Sequence, residues 1–229
     1  MLKENVIWAN PGALGLAAFG FNTILLQVHN IGWIPNTMPL IWGFFWGGIA
    51  QVIAGIIDAR RGETFGLTAF ISYGIFWIGL AAAFLLEWLG VVKLDGAGLA
   101  WTMIAWGIFT GYMTFGALKI SRVHLFIFSS LTILFALLAA HFFGKIPALV
   151  AGIEGVFVGA TAVYGSAAIV LHAQYKRWVL PIGITPRIIK IGYKRPRDLL
   201  QEIVNSKDAG CDVSKREVER DFVGKEVIK

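Results

Sequence analysis

Charge is scarce in this chain. Only 15% of its 229 residues are Asp, Glu, Lys or Arg, where a soluble domain carries roughly a quarter. Cysteine is scarcer still: Cys211 stands alone, so no intrachain disulfide can form and no oxidising compartment is implied. The four histidines, His29, His124, His141 and His172, share no metal-ligand spacing, and no paired-cysteine motif accompanies them. The glycines make no phosphate-cradling loop after a strand-like run. These absences argue against an enzyme, and no metal or other cofactor is expected. The first apolar run lacks the short core and small-residue cleavage site of a signal peptide. It is expected to be a retained span.

What is present is apolar: 57% of residues are hydrophobic, with a mean hydropathy of +0.70. Six apolar runs, at about 11–32, 39–57, 64–89, 98–118, 123–143 and 148–175, are each near the roughly 20 residues that cross a hydrocarbon core. The links are short, which favours up-and-down neighbours in one bundle. The expected fold is an all-α membrane protein, a six-transmembrane-helix bundle filling residues 1–183. The links holding Arg60-Arg61 and Lys119–Arg122 carry two cations each, and Lys176-Arg177 follows the last run. The opposite links have Lys93 and Lys145 alone. The positive-inside rule then places both termini in the cytoplasm. The pairs Gly43/Gly47, Gly107/Gly111 and Gly155/Gly159 have the GxxxG spacing that lets helix backbones approach closely. No repeat relates the two halves, so an inverted-repeat architecture has no direct support.

The net charge of +6 belongs to the end of the chain, where 13 Lys and Arg face 8 Asp and Glu from Lys176 onward. Residues 184–229 are read as a basic cytoplasmic tail. Beside a bilayer, such a tail suggests proximity to anionic lipid before it suggests nucleic acid.

The first run carries polar side chains in register. Phe19, Asn22, Thr23, Leu26, Gln27 and Asn30 fall at helical offsets of 0, 3, 4, 7, 8 and 11, the spacing of one face, with His29 beside them. Polar groups in hydrocarbon are costly without partners or water, so this stripe must face protein or a wet cavity. Interhelical hydrogen bonding and the wall of a solute path both satisfy that condition. Gln51 in the second run and Ser72 in the third are candidates to join the polar interior. Asn10 before Pro11 makes a good helix start, with free amides that suit a carboxylate. Glu154 is the acid well inside a predicted span, and an intramembrane carboxyl is a candidate for proton coupling. A shallow, solvated position is the alternative. Asp58, beside Arg60 and Arg61, reads as an interfacial charge pair.

The run Asn10-Pro11-Gly12-Ala13-Leu14-Gly15-Leu16 resembles the NPAPLGL signature of the acetate uptake transporters. Further blocks agree, among them His29-Asn30, Gly47-Gly48-Ile49-Ala50-Gln51, Thr64-Phe65-Gly66-Leu67-Thr68-Ala69-Phe70 and Val179-Leu180-Pro181-Ile182-Gly183. The resemblance covers residues 5–183. It implies a six-helix protomer, a homohexamer with a path through each subunit, and passage of acetate and related small carboxylates, including succinate, together with protons. It also maps the family's apolar gate of Phe, Tyr and Leu onto Phe19, Tyr73 and Leu131. Gly12 and Ala13 depart from the signature, as does His172-Ala173-Gln174 where an Asn-Glu pair is expected. The expected location is the plasma membrane, with the lipid bilayer as surroundings and no nucleic-acid partner.

Two other readings fit the residues. One is a channel for small neutral solutes such as urea or ammonia, which a polar stripe and an aromatic gate would also pass. The other is a membrane anchor or sensor acting through its basic tail.

Overall fold

The computed structural model describes residues 8–183, and the basic tail expected at 184–229 lies outside them. Six helices follow the six apolar runs: α1 Gly12–Asn30, α2 Thr37–Arg61, α3 Thr64–Trp88, α4 Gly96–Ala117, α5 Arg122–Phe142 and α6 Ala148–Tyr175. All but α4 are long and apolar enough to cross a membrane. At 22 residues α4 has the length, but its threonines, tryptophans and glycines dilute its hydropathy. The described part is thus an all-helical, multi-pass membrane protein.

Helix ends follow from local chemistry. The Asp95 carboxylate accepts from the Gly98 amide at 2.7 Å to open α4, and the Ser121 hydroxyl accepts from the His124 amide at 3.1 Å to open α5. Two more free amides of α5, those of Arg122 and Val123, donate to the carbonyls of Gly183 and Ile182. The Val179–Gly183 block, which follows α6, is therefore the second cap of α5. The Asn10 side chain accepts from the Gly12 amide at 2.9 Å, but Pro11, not Asn10, holds the cap position of α1.

Packing is organised in pairs, α1 with α6, α4 with α5 and α2 with α3, with α5 also on α6. Glycine makes the closest approaches. A Cβ at Gly20 would lie 2.7 Å from the Gly159 carbonyl oxygen, and one at Gly159 equally close to that of Gly20. A Cβ at Gly74 would lie 2.8 Å from the Gly48 oxygen.

The second helix is not uniformly α-helical. Residues Gly43–Ala50 form a π-helical stretch between two α-helical ones. Such wide turns cost backbone geometry and gather at functional positions. Here Gly43 and Gly47 face Asn22 of α1 and Trp77 of α3, so the widened segment and its missing side chains make room for an amide and an indole.

Candidate functional site

The central aromatic core of the bundle is built on Tyr73. Its ring packs against Phe19 at a centroid distance of 5.7 Å, Phe109 at 5.5 Å and Trp106 at 5.8 Å. Its hydroxyl lies 2.8 Å from Thr110 Oγ1. The Thr110 proton is already committed to the Trp106 carbonyl at 2.7 Å, so Tyr73 is the donor in that pair. Tyr73 therefore spends its polar group on α4 and offers its ring to the space beside Phe19.

That space is a cavity of about 210 Å³ between α1, α3, α4 and α5. Its lining runs from the link end of the bundle, at Asn30, Asn36, Phe84, His141 and Phe142, down to Phe19, Tyr73 and Leu131 at mid-helix. Phe76, Trp77, Leu80, Met103, Leu134, Phe135 and Leu138 make most of the wall apolar. Thr23, Gln27, His29 and Asn30 form a polar strip along α1. Among the described residues, no Asp, Glu, Lys or Arg lines this vestibule.

The polar strip is ordered by its own bonds. Thr23 Oγ1 donates to the Phe19 carbonyl at 2.7 Å, which leaves its lone pairs and methyl for the cavity. Asn30 Nδ2 donates to Gln27 Oε1 at 2.8 Å, fixing both amides. Gln27 is held against Gly155 of α6, where any larger side chain would displace it.

The candidates from sequence divide accordingly. Phe19, Tyr73 and Leu131, together with Thr23, Gln27, His29 and Asn30, share the vestibule. Asn22 does not: it is fully buried and turned toward Gly43 and Gly47. Its two amide atoms, Gln51 Oε1 and Trp77 Nε1 are buried without a hydrogen-bond partner among the described residues. Ser72 is half-buried and outside the lining. Asn10 lies exposed at the opposite end, where Arg61 donates to it at 3.3 Å and to Asp58 at 3.0 Å. Glu154 also lies outside the lining and accepts from Ser130 Oγ. Sequence reasoning missed His141, Asn36 and Trp77 as neighbours of the site. The available signal for His141 was the pattern His-x-x-Gly-x-Ile-Pro, which occurs at residues 29–35 and again at 141–147.

The family model described as GPR1/FUN34/yaaH matches residues 3–186. The chain belongs to this family. Among GPR1/FUN34/yaaH relatives, the succinate-acetate/proton symporter SatP of Escherichia coli K12 is 46% identical over 183 residues, covering 78% of this chain and 97% of that protein. Acetate permease A of Emericella nidulans is 28% identical over 200 residues, 78% of this chain and 67% of that one. The solved structure of the bacterial acetate channel SatP superposes with a TM-score of 0.74 at 46% identity, covering 76% of this chain and 99% of that chain. The acetate uptake resemblance seen in the sequence is thereby established at the level of family. This family comprises membrane transporters and channels, not enzymes.

Proposed function

We propose that the protein moves acetate and similarly small carboxylates across the plasma membrane, with a proton accompanying the solute. The observation that carries this reading is the vestibule: an apolar wall, one strip of fixed amides, and a floor of Phe19, Tyr73 and Leu131. Its volume is below the roughly 300–1,000 Å³ of pockets for drug-sized ligands. A solute with a methyl end and a carboxyl end matches such a space. An apolar constriction penalises a bare anion, so passage past the floor as the neutral acid lowers the barrier. The names of the relatives, symporter, channel and permease for acetate or succinate, support the same assignment.

In this proposal Phe19, Tyr73 and Leu131 form the constriction, and Thr23, Gln27 and Asn30 bind the carboxyl group above it. The positive charge of the links at Arg60-Arg61 and Lys119–Arg122 supports a cytoplasmic position for both termini, and in that orientation the vestibule opens to the outside. Exposed apolar side chains such as Phe45, Ile108, Phe115 and Phe157 suit lipid or neighbouring subunits of a homohexamer. The test is uptake of labelled acetate into proteoliposomes with and without an inward proton gradient. Gradient-driven accumulation is expected, and no uptake under either condition would refute the reading.

A second reading is passage of a neutral solute such as ammonia, favoured by a vestibule lining without Asp, Glu, Lys or Arg among the described residues. Rapid ammonia flux without acetate flux in the same vesicles selects it.

A further inference from the structure

The turn that closes α1 recurs after α5. His29-Asn30-Ile31-Gly32-Trp33-Ile34-Pro35 and His141-Phe142-Phe143-Gly144-Lys145-Ile146-Pro147 share histidine, glycine, isoleucine and proline at matching positions. In both, the glycine is left-handed, with φ of 92° at Gly32 and 70° at Gly144, a conformation that costs glycine little. Its amide donates to the carbonyl of the histidine at 2.7 Å in each case. The next amide reaches back into the helix, Trp33 to the Val28 carbonyl and Lys145 to that of Ala140. The chain then folds so that each imidazole meets the carbonyl of the isoleucine: His29 Nδ1 to Ile34 at 2.9 Å, His141 Nδ1 to Ile146 at 3.1 Å.

A carbonyl can only accept, so Nδ1 carries the proton in both rings. The tautomer and the ring orientation are set by the turn, and Nε2 is the nitrogen left for the vestibule that both rings line. Their level is matched as well. His29 lies ten residues beyond Phe19 and His141 ten beyond Leu131, about 15 Å along each helix. Phe19 and Leu131 share the floor, and the two histidines share the mouth.

Among the described residues, the two imidazoles and the Tyr73 phenol of α3 are the ionisable side chains in the lining. Of the charged residues at this end, Lys145, Glu87, Lys93 and Asp95 lie outside the lining. Glu87 accepts from the Leu94 amide and Asp95 caps α4.

We propose that His29 and His141 form a paired docking station for the carboxyl group of the solute where it enters the vestibule. The proposal rests on the carboxylate reading above and adds a residue, His141, that the sequence reading passed over. A charged ring donates from Nε2–H to a carboxylate, and a neutral ring accepts at Nε2 from the O–H of a carboxylic acid. The pair thus meets the solute in either form. The fixed amides of Gln27 and Asn30 are available beside it, and the apolar wall takes the methyl end.

The competing role is purely structural, with each ring serving only to close its turn. Asparagine separates the two, because its side-chain N–H can replace Nδ1 toward the isoleucine carbonyl while nothing replaces Nε2. His29→Asn, His141→Asn and the double variant of the full chain are compared with the unmodified protein in proteoliposomes, reading initial acetate uptake against acetate concentration. Each single variant is expected to raise KM at least fivefold, and the double variant further, with the saturating rate within twofold. A second readout needs no variant: on adding acetate to the unmodified protein in nanodiscs, two of the four histidine ring signals in the NMR spectrum are expected to shift and saturate. Unchanged KM in both single variants, or a lowered saturating rate at constant KM, overturns the docking role. So does the absence of any saturable shift. If the unmodified protein takes up no acetate, the carboxylate reading itself fails and takes this proposal with it.

Discussion

Ser130 donates its hydroxyl to the Glu154 carboxyl across the α5–α6 interface at 2.5 Å. Ser130 immediately precedes Leu131, and one residue turns a helix by about 100°, so this bond lies on a different side of α5 from the vestibule floor. Glu154 is therefore bonded to the neighbour of Leu131 but lies outside the vestibule lining. Glu154→Gln keeps an acceptor for Ser130, and gradient-driven acetate accumulation is expected to stay within twofold of normal. Glu154→Leu removes the acceptor and should lower stability in detergent by about 1–3 kcal/mol, the cost of an unpaired buried hydroxyl. Accumulation lost in Glu154→Gln, with passive exchange intact, would instead give this carboxyl the coupled proton.

The proposed constriction can be dissected at Tyr73, because its ring and its hydroxyl do different things. Tyr73→Phe removes only the bond to Thr110. The expected result is an unchanged solute profile and a stability loss of about 0.5–1.5 kcal/mol. Tyr73→Ala and Leu131→Ala remove floor atoms, and larger carboxylates such as succinate should then pass faster relative to acetate. If neither truncation alters the profile in vesicles containing assembled protein, Phe19, Tyr73 and Leu131 are not the narrow point.

How far the sequence foretold the site depended on which physical signal each residue carried. The α1 strip was legible because a 3.6-residue period places Thr23, Gln27 and Asn30 on one face, and that face does line the vestibule. Periodicity alone could not separate Asn22 from them, since the difference lies in the partner helix. Gly43 and Gly47 leave a hollow that takes the Asn22 amide away from the cavity. The π-helical stretch that shapes this hollow was invisible for a related reason: its glycines read as an ordinary close-packing pair. Leu131 looked like any core leucine until the resemblance singled it out. His141 gave a faint local signal, its turn sequence, but a search for whole-domain repeats passes over seven residues.

The Gly20–Gly159 contact gives a prediction about architecture. Each Cβ would be forced within 2.7 Å of a backbone oxygen on the other helix, and a backbone cannot swing aside as a long side chain does. Gly159→Val is expected to lower the stability of the detergent-solubilised protein by about 1–3 kcal/mol or more, as overpacking does. Gly111→Val, where the nearest atom is Thr132 Cγ2 at 3.9 Å, should cost far less. Thermal unfolding of the two variants side by side checks the difference.

The last prediction concerns the depth of the polar strip and separates cavity from interface on a single helix. Cys211 is replaced by serine first, so that any introduced thiol is the sole target. Cysteines at Asn30, Gln27 and Thr23 then sample the vestibule from its mouth toward Phe19 at spacings of three and four residues, about 4.5 and 6 Å of helix. A small polar thiol reagent entering from the link end should modify them at rates falling in that order. Acetate should slow all three. A cysteine at Asn22 sits on the same helical stripe, but the native side chain there is turned to Gly43 and Gly47 and lies outside the vestibule lining, whereas the similarly buried Gln27 and Thr23 are part of it. It should react at least tenfold more slowly than the one at Gln27, and acetate should not change its rate. Equal rates at Asn22 and Gln27 would mean that the hollow beside the π-helical stretch is itself connected to the path, and the division between vestibule and interface drawn from the lining would be wrong.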